Sequence, residues 1–158
     1  MLFRSPDIRY SFGDLEEGPA AFRASSHLDD PHSNFWRDFE QVLTLGGRFD
    51  EAGTFTAPYV FTDWPDTVPV FDHMAVVGNN VRVRMAPNAK AAIVTTLSHC
   101  LVQSVQPSGN NDEWYQVRLQ DGREGHINAQ YLRSPIDYRA AFQVINGQWK
   151  MIFFIAGD

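Results

Sequence analysis

Apolar positions along this chain of 158 residues follow two periods, and the switch between them marks out its elements. In "DPHSNFWRDFEQVLTLGG", Phe35, Trp36, Phe39, Val42 and Leu43 share one helical face. Asp30 or Ser33 suits the cap, Pro31 suits a first turn, and Gly46–Gly47 ends the run. A helix over 31–45 covering a sheet is therefore expected. Next, "RFDEAGTFTAPYVFTDWP" is rich in aromatic and β-branched residues, so 53–62 reads as one strand or two extended pieces, with Pro58 at an edge or bulge.

From residue 76 the period is two. "NVRVR", "AIVTTL", "CLVQSVQ", "WYQVRL" and "EGHINAQYL" are short strand-like runs, separated by "APNAKA", "SH", "PSGNNDE" and "QDGR". Asp121–Gly122 lies between two alternating runs and marks a hairpin, because both residues tolerate positive φ. Asn146–Gly147 marks a second hairpin, with a two-residue type I′ turn. On its returning strand Trp149, Met151, Phe153 and Ile155 fall on one face and Lys150, Ile152 and Phe154 on the other. Both faces are largely apolar, which expects burial on both sides. The hairpin would then lie under the helix or inside a sheet with the N-terminal strands. Near the start, "DIRYSF" reads as a short strand and "EEGPAAFRASSHLDDP" as loop with a helical turn.

Composition narrows the class. With 44% apolar and 20% charged residues the chain is globular rather than disordered. The net charge of −6 argues against nucleic acid or an anionic membrane as the main partner, since both select a basic face. That charge is uneven. Residues 1–75 hold five Lys/Arg against thirteen Asp/Glu, while residues 76–133 hold six against four. The shift places a boundary near residue 76. No stretch approaches the roughly 20 apolar residues of a membrane-crossing helix, so no membrane insertion is expected. The opening "MLFRSPDIRYSFGDLEEG" holds no apolar run long enough for a signal-peptide core.

Candidate chemistry is sparse. Cys100 is the single cysteine, and no intrachain disulfide can form. His99 and Cys100 are neighbours, and on a strand neighbours point to opposite faces, so they cannot form a nucleophilic dyad with each other. His27, His32 and His73, with Asp29, Asp30 and Asp72, match no closed zinc spacing. No phosphate-binding or dinucleotide glycine pattern is present. No catalytic residue, metal or cofactor is expected.

In order, "NVRVRMAPN", "AIVTTLSHC", "VQ" at 105–106, "WYQVRLQDGREGHI" and the closing "YL" resemble the bacterial SH3 (SH3b) family over residues 76–133. The flanks resemble the extra segments of uncharacterised SH3-containing envelope proteins of Gram-negative bacteria. The resemblance implies a mainly β fold: a small SH3-like β-barrel, with a flanking α+β unit built from both chain ends, 1–75 and 134–158. It implies a non-catalytic binding role in the periplasm or cell envelope, directed at peptidoglycan peptides or a protein partner. By position it points to Arg84, Trp114, Tyr115 and Tyr131 beside the groove. His126, in "EGHI", stands where the family usually has an aromatic, and so belongs to the same expected ligand-binding set. Two alternatives stay open: a small-molecule-binding or enzymatic flanking unit, and a protein–protein adaptor whose groove the flanks fill.

Overall fold

The computed structural model describes residues 4–10, 18–108 and 113–157. The end of the strand expected at 7–12 and most of the loop expected at 107–113 lie outside them. The chain is mainly β and divides into two compact units, 1–64 with 136–158, and 65–135. In chain order come β1 (Arg4–Arg9), α1 (Pro19–Ser25), α2 (Asn34–Thr44), β2 (Arg48–Phe49), β3 (Phe55–Ala57) and α3 (Tyr59–Thr62). The second unit adds β4 (His73–Val76), β5 (Val81–Arg84), β6 (Ile93–Leu97), β7 (Leu101–Ser108), β8 (Trp114–Arg118), β9 (Glu124–Asn128) and β10 (Leu132–Arg133). β11 (Arg139–Ile145) and β12 (Gln148–Ile155) return to the first unit. Among the described residues no helix is long and apolar enough to cross a membrane.

The first unit is a five-stranded sheet, β1-β12-β11-β3-β2, with a core of Ile8, Phe22, Phe35, Val42, Met151 and Phe154 among others. Ser33, not Asp30, caps α2: its hydroxyl accepts from the Phe35 amide at 3.2 Å and donates to the Ser26 carbonyl. Phe35 and Val42 are buried, but Trp36 and Leu43 are exposed, so the buried stripe is narrower than the apolar spacing suggested. Pro58 ends β3, and residues 59–62 turn as a short helix rather than continuing as strand.

Asn146 and Gly147 both hold positive φ (52° and 73°), and Ile145 pairs with Gln148, the expected two-residue turn. The hairpin lies inside a sheet with N-terminal strands, β1 running parallel to β12. Its facing differs from simple alternation. Ala141 pairs with Phe153 while Phe142 pairs with Met151, so Ile152 is an extra residue and β12 bulges there. Beyond the bulge the alternation is inverted. Phe154 therefore joins Met151 in the core, each about 4% exposed, and Phe153 moves to the opposite face.

The second unit is a seven-stranded sheet in the order β10-β4-β7-β8-β9-β5-β6. It is open in its pairing: among the described residues no ladder closes β6 onto β10. The unit begins at Pro65, earlier than the charge shift at 76 suggested, because β4 pairs with both β7 and β10. Its separate core holds Val76, Val81, Val83, Val102, Val117, Leu119, Ile127 and Leu132. At the β8–β9 hairpin Gly122 has positive φ and Asp121 does not, and Leu119 and Arg123 close a three-residue loop with a 2.8 Å hydrogen bond.

The bulge makes a testable contrast. Phe154→Ala is expected to cost about 3–5 kcal/mol of stability through the lost burial and the cavity left behind. Phe153→Ala, on the half-buried opposite face, is expected to cost clearly less. Denaturant unfolding of the two variants checks the order, and a larger loss from Phe153→Ala would contradict the register.

Candidate functional site

Strand alternation sorts the second unit into an inner and an outer face. On β5, Val81 and Val83 are buried while Arg82 is exposed and Arg84 half-buried. On β8, Val117 enters the core and Tyr115 packs against it. On β9, Gly125 and Ile127 are buried and Glu124, His126 and Asn128 face the other way. Register then sets the outer neighbours: Trp114 opposite Asn128, Gln116 opposite His126, and Arg84 opposite His126. The crossing of β9 over β5 depends on Gly125. A Cβ there would lie 2.5 Å from Val83 Cγ1 and 3.0 Å from the Arg84 carbonyl oxygen, closer than carbon atoms pack.

A cleft of about 440 Å³ opens at one end of this outer face. Asn79, Asn80, Arg82, Arg84, Ala89, Trp114, Asn128, Gln130 and Tyr131 line it, together with Val81. Each wall is held by local hydrogen bonds. Asn80, with φ 53°, donates its amide to Ser98 Oγ at 2.8 Å, which fixes the turn entering β5. Asn128 Oδ1 accepts from the Gln130 amide at 3.2 Å and starts the 3-10 turn Ala129–Tyr131 that presents Tyr131, 42% exposed. Arg84 Nη1 donates to the Ala91 carbonyl at 2.7 Å, and the Met85 amide to the Ala92 carbonyl at 2.9 Å, folding the 85–92 loop back over β5.

The lining carries two arginines and no carboxylate. Acids elsewhere on the sheet are already engaged. Glu124 accepts from Arg118 at 2.7 Å and from Gln116 at 2.8 Å, and these contacts hold its carboxyl below the usual range. Asp72 is held low chiefly by the His73 ring at 2.7 Å, and Gln103 adds to it. The Arg82 side chain forms no hydrogen bond or ion pair among the described residues.

Of the residues expected at a groove, Arg84, Trp114 and Tyr131 come together in this cleft. Tyr115 does not: it follows Trp114 on a strand, so its ring points to the opposite face, against the core. His126 shares the outer face with Arg84 and Gln116 but does not line the cleft, and its Nδ1 is buried with no hydrogen-bond partner among the described residues. Asn79, Asn80, Asn128 and Gln130 escaped the sequence reading. The signal for them was local: paired asparagines before a strand in "GNNVRV", and an Asx cap in "HINAQY".

The first unit has its own depression of about 400 Å³, with His27, Asp30, His32, Asp38, Tyr10 and Tyr138 in its lining. Its carboxylates are engaged nearby: Asp30 accepts from the His32 amide at 2.8 Å, and Asp38 pairs with Arg37 at 3.0 Å. Among the described residues no group of three or more His, Cys, Asp or Glu is placed to hold a metal ion. Leu43, Phe49, Phe55, Phe142 and Trp149 form a separate apolar patch on that unit. His99 and Cys100 stand in the turn before β7, His99 with φ 44°, rather than on a strand. Comparison of the chain with protein-family models and with curated proteins finds no match.

Burial pushes the Cys100 thiol pKa upward, which lowers the thiolate fraction at neutral pH. Maleimide labelling at pH 7 is therefore expected to be at least about tenfold slower in the folded protein than in denaturant. Equal rates would contradict its packing against the core. Gly125→Ala is expected to cost about 1–3 kcal/mol, because its methyl group must displace Val83 or the β5 backbone. Thermal unfolding of the variant checks this.

Proposed function

We propose that the second unit is an SH3-like, non-catalytic binding module of the bacterial envelope whose cleft recognises peptidoglycan peptides. The observation that carries this reading is the cleft itself, where Trp114 and Tyr131 stand beside Arg82, Arg84 and four amide side chains. An indole and a phenol offer rigid apolar surface at little entropy cost. Asn and Gln amides both donate and accept, which matches peptide groups of a ligand. Arginine adds charge-assisted, bidentate hydrogen bonds to carboxylates, which wall peptides carry. Support for the SH3-like assignment comes from the ordered motifs of the sequence. Their strands are β5, β6, β7, β8, β9 and β10, and the expected groove residues Arg84, Trp114 and Tyr131 meet at one end. The envelope location follows from that resemblance. A protein presenting an extended carboxylate-bearing segment is the other partner that the same chemistry suits.

A second reading assigns a small molecule to the first unit, with the other unit as adaptor. What favours it is the pair of histidines over the aromatic floor of Phe35, Tyr138 and Phe154 in the 400 Å³ depression.

Co-sedimentation with insoluble peptidoglycan separates the two. The parent protein is expected to pellet at roughly 50 μM. Trp114→Ala, folded by circular dichroism, is expected to lose binding by about thirtyfold, the cost of truncating a central Trp anchor. Pelleting unaffected by Trp114→Ala would exclude the cleft as the wall-binding site, and no pelleting at all is what the second reading expects.

A further inference from the structure

We infer that the ligand is anchored through a carboxylate received by Arg82, and that Arg84 is a positioning residue which holds the wall of the cleft. This assignment rests on the reading of the cleft as a peptide-binding groove, and it gives the ligand contact to Arg82, where the family resemblance pointed to Arg84.

Arg82 and Arg84 are two residues apart on β5, so the pleat puts both on the outer face. Their surroundings differ. Arg84 is half-buried, and its Nη1 donates to the Ala91 carbonyl at 2.7 Å, tying the strand to the loop that carries Ala89 into the cleft. Part of its hydrogen-bonding capacity is therefore committed within the fold. Arg82 is exposed and lies opposite Thr96 of β6, and its side chain has no hydrogen-bond or ionic partner among the described residues. A guanidinium carries five donors in a fixed fork, and a carboxylate is the group that matches two of them at once.

The charge pattern points the same way. With two arginines and no carboxylate in the lining, a cationic ligand group would be repelled and a neutral one would leave Arg82 without an ionic partner. Two acids of this unit are already engaged, Glu124 with Arg118 and Asp72 with His73. The whole chain carries −6, so bulk charge does not draw anions to it. Selection of a carboxylate has to come from the local fork. Trp114 and Tyr131 then supply the apolar contact that discriminates a peptide from a free inorganic anion.

The test uses the full chain and two forms of insoluble peptidoglycan, native and with its free carboxylates converted to amides by carbodiimide and ammonia. The parent is expected to bind the amidated form on the order of tenfold more weakly, the scale of a lost charge-assisted contact. Arg82→Gln is expected to bind native wall at that weaker level and to be indifferent to amidation. Arg82→Lys, which keeps the charge but not the fork, is expected to fall between them. Arg84→Gln is expected to keep its sensitivity to amidation while hydrogen exchange speeds up at the Met85 amide, which bonds to the Ala92 carbonyl at the base of the loop. If the parent pellets equally with both forms while Trp114→Ala still abolishes pelleting, the carboxylate anchor is wrong and the binding groove stands. If sensitivity to amidation survives in Arg82→Gln and vanishes in Arg84→Gln, the two roles are misassigned. If the parent pellets with neither form, the inference and the reading beneath it both fail.

Discussion

Much of the second unit depends on how closely β9 crosses β5 at Gly125. With no side chain there, Val83 reaches across into the core, and the Arg84 carbonyl lies where a Cβ would otherwise crowd it. The approach fixes register. Once Arg84 stands opposite His126 and Trp114 opposite Asn128, the pleat determines the rest. Valines and Ile127 turn inward, and arginines, amides and the indole turn outward. The cleft is thus a consequence of strand pairing, completed by two local devices, the Asn128 cap and the folded 85–92 loop.

The same outer face shows how charge is apportioned. Its acids are consumed in neighbouring contacts, Glu124 with Arg118 and Gln116, Asp72 with His73 and Gln103. These contacts are exposed or only partly buried and contribute little to stability. The cleft is left with cationic and amide groups and no carboxylate in its lining. A protein of net charge −6 therefore carries a cleft lined by arginine and amide side chains.

Legibility in the sequence followed how local each determinant was. The Asn146–Gly147 turn and the Val/Arg alternation of 81–84 depend on a few adjacent residues, and the structure has them as read, while of the two cap candidates it uses Ser33. The bulge at Ile152 was hidden, because register is set by the partner strand and "WKMIFFI" is apolar at nearly every position. Phe154 therefore exchanged faces with Phe153. The early start of the second unit was hidden for a related reason: β4 is a short strand defined only by its pairing with β7 and β10. Tyr115 is a different kind of miss. Alternation was applied to His99 and Cys100, which turn out to lie in a turn, and not to Trp114 and Tyr115, where it separates a cleft residue from a core residue. The amide side chains of the cleft come from turns, whose sequence signals describe backbone geometry and not which side chains converge.

The central claim is that the outer face of the second unit, at the end bounded by Trp114 and Tyr131, is where a wall peptide binds. Titration of isotope-labelled protein with soluble peptidoglycan fragments, followed by nuclear magnetic resonance, tests it most directly. The account predicts shifts of the Trp114 indole N–H, the Arg82 Nε–H and the Asn128 and Gln130 amide side chains. Backbone signals of core positions such as Val117 should stay in place. Shifts confined to residues around Tyr138 and His32, or no shifts at all, would contradict it.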